Sequence, residues 1–201
     1  MEDKPLTDKD KMTILGVDPG TQIMGYSILQ TEPKPCVVEM DVLYLKRING
    51  YDERIRTIFC SMGSLMDRYR PDHLSIEAPF FGKNVQSMLK LGRAQGVTIA
   101  AAMGRDIPFT EYEPASIKQY ITGNGRATKE QVLAMLQAHL HLDLHPHYLD
   151  ATDALAAAYC HYLVSTNPMA DLRAQLRSPK GRRTKRQSWG DFVNENPDLV
   201  Q

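Results

Sequence analysis

The chain changes its hydrophobic period after about residue 50, and this change limits the folds that it can adopt. Three short apolar segments come first, at residues 14–18, 23–29 and 37–44, and Asp-Pro-Gly, a turn sequence, closes the first of them. Apolar residues then recur at the spacing of an amphipathic helix that ends before Pro71. The pattern predicts an antiparallel meander of three strands followed by a helix.

Apolar segments of strand length alternate with helical ones in the second half of the chain. The predicted elements are a strand at His73–Glu77, a helix at about 84–104, a strand at 107–112, a short helix from Pro114, a helix from the capping box of Thr128 and Gln131, and an alanine-rich helix at about 150–164. This order matches the ribonuclease H-like fold. We therefore predict an α/β protein whose mixed five-stranded sheet, an antiparallel meander plus two parallel strands, is flanked by helices.

Both ends of the chain are polar and fall outside this pattern. We predict a flexible leader at 1–12, a folded domain at 13–164 and a basic, flexible tail at 165–201. The tail either adds salt-sensitive DNA affinity or is only a solubilising appendage. The leader lacks an apolar signal segment, no run of apolar residues is long enough to cross a membrane, and the three cysteines lack paired spacing. We expect a cytoplasmic protein without a membrane partner.

The distribution of charge permits a nucleic-acid partner, although the formal net charge is +0. Residues 80–105 hold four Lys or Arg and no acid, and residues 173–186 hold seven basic residues and no acid. The acids lie elsewhere in the chain. A neutral total therefore conceals basic faces of the kind that attract phosphate backbones.

Four acidic residues fall at the ends of predicted elements. Asp18 closes the first strand, Glu77 closes the fourth, and Asp150 and Asp153 begin the last helix. Adjacent parallel strands, about 4.8 Å apart, end at one edge of a sheet, and residues three apart on a helix share a face. Carboxylates crowded in this way repel one another unless a cation is present. The pattern predicts a site for two Mg²⁺ ions, replaceable by Mn²⁺, that hydrolyses a phosphodiester.

Each of these acids also has a structural explanation. Asp18 before Pro-Gly is typical of a turn, and Glu77 is typical of a solvated strand end. Asp150 as a helix N-cap, with Asp153 in a capping box, explains the last pair without a metal. Capping and metal binding are compatible, however, and the joint occurrence of the four acids favours the metal site.

Basic and aromatic residues near these acids are candidates for contacts with DNA. Lys118 and Lys129 flank a Gly-rich loop that contains Arg126, where a lysine can bind phosphate or stabilise charge in the transition state. A solvated helix face is the alternative. Phe80 follows Glu77 in a predicted loop and either stacks on an unpaired base or packs as a core residue.

A four-residue repeat of small residues marks the long helix predicted at 84–104, namely Gly92, Gly96, Ala100 and Gly104. Glycine lowers helix stability by about 1 kcal/mol, so the close approach of another backbone should offset it. The sheet of the same chain and a second copy of the chain are both candidates for that neighbour.

Three motifs follow one another in order along the chain: Leu15-Gly16-Val17-Asp18-Pro19-Gly20, then Ile76-Glu77 with Phe80 and Lys83-Asn84, then Asp150-Ala151-Thr152-Asp153. Together with segment 89–97, which is similar to a long central helix, they resemble the RuvC family of bacterial Holliday junction endodeoxyribonucleases. The resemblance covers about residues 13–164, in the right order and spacing. A 12-residue leader precedes the first strand, the family's usual chain ends near the start of the tail, and residues 180–186 and Trp189 have no recognised counterpart.

The resemblance implies a structure-selective, homodimeric DNA endonuclease that nicks two opposed strands of a four-way junction in recombination and repair. It also implies the branch-migration proteins RuvA and RuvB as partners. The implied catalytic residues are Asp18, Glu77, Asp150 and Asp153, which also bind metal, and Lys118. The implied DNA-binding residues are Phe80, Lys83, Lys118, Arg126 and Lys129.

Other functions fit parts of the sequence. A ribonuclease H-like nuclease of RNA processing shares the acids but lacks the Phe80 loop and the long central helix. A junction-binding protein without catalysis does not need all four acids. Asp-Pro-Gly-Thr also resembles a phosphate loop of actin-like sugar kinases, but those proteins need a second domain that 201 residues cannot supply.

Overall fold

A mixed sheet of five strands lies at the centre of the protein. The structure, a computed structural model, describes residues 11–79, 84–142 and 149–166. The strands are β1 (Thr13–Asp18), β2 (Ile23–Gln30), β3 (Cys36–Tyr44), β4 (His73–Glu77) and β5 (Phe109–Tyr112). The helices in the described ranges are α1 (Tyr51–Tyr69), α2 (Val85–Met103), α3 (Pro114–Thr122), α4 (Lys129–Leu140) and α5 (Leu149–Thr166). None of these helices is long and apolar enough to span a membrane.

The strands lie in the order β3-β2-β1-β4-β5. β1 and β3 are antiparallel to β2, whereas β1 is parallel to β4 and β4 is parallel to β5. The predicted meander with two parallel strands is therefore confirmed. Because Val17 pairs with Ile76, the residues that follow them, Asp18 and Glu77, leave the sheet side by side.

Side chains that alternate along β1 divide the core into two layers. Leu15 and Val17 are fully buried in the layer that contains α1 and α2, and Ile14 is fully buried in the layer that contains α3, α4 and α5. Each such side chain contributes roughly 1.5–3 kcal/mol on burial. Both faces of the sheet are covered, which explains why β1 is a continuous apolar run rather than an alternating one.

Helix α5 lies directly on the backbones of β1 and β2, with no side-chain layer between them at two points. A Cβ on Gly16 would overlap the carbonyl oxygen of Ala154, and a Cβ on Gly25 would overlap that of Asp150. Gly25 also pairs across the sheet with Asp18. The two glycines therefore fix the distance between the end of β1 and the start of α5.

Several boundaries differ from the predicted ones for identifiable reasons. Strand β5 begins at Phe109 rather than 107, because Pro108 has no N–H to donate and the Ile107 N–H closes the turn after α2 on the Ala102 carbonyl at 3.0 Å. Helix α5 continues to Thr166, past the predicted domain boundary at 164. Most of the predicted leader and tail lies outside the described residues.

One face of α2 is apolar and exposed. Val85, Leu89 and Met103 are 63%, 52% and 62% exposed, and a Cβ added to Gly92 or Gly96 would meet nothing within 4 Å. The helix turns its other face to the core. The expectation that the sheet of the same chain approaches these glycines is therefore wrong, and the alternative of a second copy stays a prediction.

The contact between Gly25 and α5 yields a test of the fold. Gly25→Ala should lower the free energy of unfolding by about 1–3 kcal/mol, because the added methyl pushes α5 away from β2. Urea denaturation measures this change. Ser64→Ala, at an exposed position of α1, is the control and should change stability by no more than about 0.5 kcal/mol. Equal effects of the two substitutions would contradict the direct contact.

Candidate active site

Strands β1 and β4 place two carboxylates together at the carboxyl edge of the sheet. Asp18 is the last residue of β1 and Glu77 is the last residue of β4. Each follows a run of fully buried residues and is itself only partly buried. The predicted meeting of these two strand ends is confirmed, and each side chain keeps access to solvent.

Helix α5 brings two further carboxylates to this edge. Asp150 lies in its first turn, and Asp153 follows three residues later on the same face. Between them, Ala151 and Thr152 are buried against the sheet. The helix therefore turns its apolar face to β1 and β2 while it presents its first acids to the ends of the strands.

The electrostatics of Asp18 and Glu77 show that the four acids act on one another. Burial and, after it, the charges of Glu77, Asp153 and Asp150 together raise the pKa of Asp18 to about 8, against an opposing effect of Lys129. Burial, followed by the charge of Asp153, raises the pKa of Glu77 to about 7. Near neutral pH and without a cation, both groups retain protons that ordinary carboxyls have lost.

Lys129 supplies a positive charge within this group of acids. Its ammonium forms an ion pair with the carboxylate of Asp153. The predicted capping box of Thr128 and Gln131 is confirmed, and it fixes the start of α4, where Lys129 is the first residue. Burial lowers the pKa of Lys129, but the pair with Asp153 outweighs burial and the pKa is raised overall, so the lysine stays charged.

A depression of about 110 Å³ adjoins the acids on the side of β5 and α3. Its lining includes Glu77, Lys118, Lys129 and Asp153. The structure thus brings Lys118 and Lys129 to the site. Arg126 lies in the exposed loop between α3 and α4 and does not line this depression, while Phe80 and Lys83 lie outside the described residues.

The donor chemistry of the site fits a hard divalent cation. Carboxylate oxygens are the ligands that Mg²⁺ and Mn²⁺ prefer. The raised pKa values of Asp18 and Glu77 indicate that a bound cation would stabilise their ionised forms. No three acid, His or Cys side chains in the described part of the chain yet converge as a metal centre. In this structure the carboxylate of Asp153 is paired with the ammonium of Lys129.

A second depression, of about 640 Å³, opens beside Asp150 on the side of the turn between β1 and β2. Its lining includes Tyr51, Arg54, Ser87 and Lys90. None of these residues was singled out from the sequence. The signal available was the acid-free stretch at 80–105, which contains Lys90, but the sequence did not place that stretch beside the acids.

The fold and the site together define a class: a ribonuclease H-like α/β protein with an acidic centre at the carboxyl ends of its two central parallel strands. Residues 14–161 match the sequence model of a family described as Crossover junction endodeoxyribonuclease RuvC. The chain belongs to the RuvC family.

Relatives and solved structures agree with this assignment. The chain is 50% identical over 192 residues to the Crossover junction endodeoxyribonuclease RuvC of Porphyromonas gingivalis, covering 94% of this chain and 96% of that protein. It is 49% identical over 197 residues to the Bacteroides fragilis protein of the same name, covering 96% and 97%. Thermus thermophilus RuvC in complex with Holliday junction substrate is similar in structure, with a TM-score of 0.72, 28% identity, and 77% and 94% of the two chains covered.

The raised pKa values predict how stability depends on pH. In EDTA, these two acids should make stability fall as pH rises from about 4 to about 8, because in the folded chain they keep protons that the unfolded chain releases; the ordinary pKa of the Asp18 carboxyl is 3.8. Asp18→Asn should flatten this slope and be more stable than wild type by at least about 1 kcal/mol at pH 8. Thermal denaturation across this pH range measures both effects.

Two controls accompany the pH series. Asp106→Asn, at an exposed residue after α2, should leave the slope unchanged. Excess Mg²⁺ at pH 8 should raise the melting temperature of wild type more than that of Asp18→Asn, since a ligand of the folded state stabilises it by mass action. A wild-type slope that survives Asp18→Asn would rule out the acid cluster as its source.

Proposed function

We propose that this chain is a structure-selective DNA endonuclease that resolves Holliday junctions in recombination and repair by nicking two opposed strands symmetrically. The observation that carries the proposal is the meeting of Asp18 and Glu77 at the ends of β1 and β4 with Asp153 and Lys129 beside them. Membership of the RuvC family supports this substrate over the alternatives of RNA processing and of junction binding without catalysis. The related structure of Thermus thermophilus RuvC contains a Holliday junction substrate.

The reaction is hydrolysis of a phosphodiester with Mg²⁺ as the cofactor, replaceable by Mn²⁺. The residues that hold the metal are Asp18, Glu77, Asp150 and Asp153, whose number suits two ions. Bound divalent ions supply activation of water and stabilisation of the leaving oxygen. The four carboxylates position the reacting groups at one edge of the sheet.

The lysines of the smaller depression act on the substrate rather than on the metal. Lys118 and Lys129 lie beside Glu77 and Asp153, so their ammonium groups can bind the non-bridging oxygens of the scissile phosphate. Positive charge at this position stabilises the charge that develops on those oxygens in the transition state. Phe80, Lys83 and Arg126 are proposed to contact DNA outside the scissile phosphate, on the strength of their match to the family motifs.

The exposed face of α2 supports a homodimer. Its exposed apolar side chains, together with glycines that no described residue covers, allow a second helix to approach closely. A two-fold pair presents two identical sites, which suits two symmetric cuts in one junction. We further propose RuvA and RuvB as partners through the family, and a cytoplasmic location, in which the free thiols of Cys36, Cys60 and Cys160 stay reduced.

Cleavage of model substrates tests the proposed reaction. With Mg²⁺, the protein should nick a synthetic four-way junction symmetrically and leave linear duplex and RNA–DNA hybrid intact. Asp18→Asn and Asp153→Asn should each slow cleavage by more than about 100-fold, since loss of even an indirect ligand contact lowers metal affinity or activity by about 10–100-fold. Junction binding in EDTA, measured by fluorescence anisotropy, should stay largely intact.

Glu130→Gln, which neutralises the exposed acid next to Lys129, is the matched control and should cleave at nearly the wild-type rate. Near-normal cutting by Asp18→Asn or Asp153→Asn would refute the assignment of the metal site. Cleavage of the hybrid but not of the junction would favour an RNA-processing nuclease.

A substitution on α2 tests the dimer. Gly96→Leu places a bulky side chain where close approach of two helices needs none, so sedimentation velocity should show monomers at concentrations at which wild type is dimeric. Ala134→Leu makes a comparable change at an exposed position of α4 and should leave the dimer intact. A dimer that is unchanged by Gly96→Leu would exclude this face as the interface.

A further inference from the structure

The depression of about 640 Å³ beside Asp150, called here the α1–α2 groove, has no role in the proposed chemistry. It lies toward β2, whereas the smaller depression with Lys118 and Lys129 lies toward β5. The two depressions therefore flank the ends of β1 and β4 from opposite sides. A strand laid across the acids with its phosphate near the lysines continues into the α1–α2 groove.

The floor of the groove is fixed by backbone contacts. The N–H groups of Leu45 and Lys46 both donate to the carbonyl of Gln22 at 2.8 Å. Arg54 donates from its Nε to the Ile48 carbonyl at 3.0 Å and from its Nη1 to the Thr21 carbonyl at 3.4 Å. The turn that follows Asp18 is thereby tied to the start of α1, so the groove keeps its shape without a ligand.

The walls of the groove carry positive charge. Lys90 is exposed on α2, and among the described residues it has no ion-pair partner. Arg54 adds a guanidinium whose N–H groups are engaged by carbonyls, and Arg93 lies 5.8 Å from the centre of the Tyr51 ring at the rim. Asp150 is the one acid among the described residues that line the groove.

The chemistry of the lining favours a phosphodiester backbone over a base or an apolar ligand. Tyr51 is the one aromatic residue among the described residues that line the groove, and the guanidinium of Arg93 lies over one face of its ring, 5.8 Å from the ring centre. Ser87 lies three residues before Lys90, on the part of α2 that lines the groove, and adds a hydroxyl. A lysine and a hydroxyl on a rigid floor are the groups that typically bind phosphate and sugar oxygens of DNA.

We propose that the α1–α2 groove binds the backbone of the cleaved strand on the Asp150 side of the scissile phosphate, with Lys90 contacting one phosphate and Ser87 an adjacent oxygen. This proposal rests on the proposed junction-cleaving function and extends the substrate site past the acids. Lys118 and Lys129 are placed at the reacting phosphate, whereas Lys90 lies in the other depression. Lys90 therefore helps to position the strand and does not act on the reacting atoms.

Salt dependence of binding separates a phosphate contact from a general effect of charge. In EDTA, Lys90→Ala should raise the Kd for a four-way junction about three- to ten-fold at moderate salt and reduce the slope of log Kd against log salt by about 1. Lys90→Arg should restore both. Lys34→Ala removes an exposed lysine from the turn between β2 and β3, at the opposite edge of the sheet, and should change neither.

Replacing single phosphates of the DNA by uncharged methylphosphonates identifies the phosphate that Lys90 contacts. Methylphosphonates placed singly on either side of the scissile position should weaken binding of wild type at one particular phosphate, and Lys90→Ala should be insensitive to that same substitution. At saturating protein with Mg²⁺, Lys90→Ala should still cleave within about three-fold of the wild-type rate, because a phosphate contact remote from the reacting centre contributes to binding rather than to the chemical step.

The outcomes distinguish this proposal from the proposed function. If wild type cleaves the junction but Lys90→Ala matches Lys34→Ala in Kd, salt slope and methylphosphonate response, the groove does not bind the backbone. If wild type neither binds nor cleaves the junction, the proposed function itself fails. A change in Kd without a change in salt slope would also overturn the phosphate contact.

Discussion

Mutual repulsion of carboxylates at one edge of the sheet is the constraint on which the rest of the site depends. Asp18 and Glu77 are forced together by strand pairing, and α5 adds Asp150 and Asp153 from above. Without positive charge, such a group stays neutral only by retaining protons, as the raised pKa values of Asp18 and Glu77 show. Lys129, the first residue of α4, supplies a positive charge beside them, and the capping box fixes the start of this helix.

The surroundings of the acids are asymmetric, because the depressions on their two sides differ in size and in lining residues. On the β5 side, two lysines lie close to Glu77 and Asp153 in a small depression. On the β2 side, a larger groove with a rigid floor begins at Asp150 and extends along the first turns of α1 and α2. Under the proposed function, the lysines near the reacting phosphate stabilise charge during the reaction, whereas groups in the larger groove hold the strand so that one phosphate lies at the acids.

Local patterns were sufficient to predict the elements and the acids, but contacts between distant segments were not predictable. The turn after Asp18, the end of β4 and the capping box of α4 each follow from a few neighbouring residues. The pair of Lys129 with Asp153 joins two helices, and the α1–α2 groove combines four segments of the chain, so neither leaves a periodic signal. The stacked imidazoles of His73 and His161, whose ring centroids are 3.8 Å apart, also join distant segments and were not predictable from local patterns.

The glycines of α2 form a pattern that is visible in the sequence but whose packing partner could not be predicted from it. Their four-residue spacing was visible in the sequence, but spacing alone does not say which partner a helix face meets. In the structure the sheet contacts the other face of α2, so the same motif that is compatible with packing inside one chain remains exposed. Only the relative orientation of α2 and the sheet, which many residues set together, decides between the two.

The direct contact of α5 with the backbones of β1 and β2 has a consequence for how this site can change over evolution. Most active sites are carried by elements separated by side chains, so that exchanging a large residue for a small one shifts catalytic groups by fractions of an ångström. At Gly16 and Gly25 no side chain is available to exchange, and any substitution enlarges the gap. Substitutions elsewhere in the core therefore leave the spacing of Asp18 from Asp150 unchanged. Sequence changes that alter the site are expected at the rims of the two depressions.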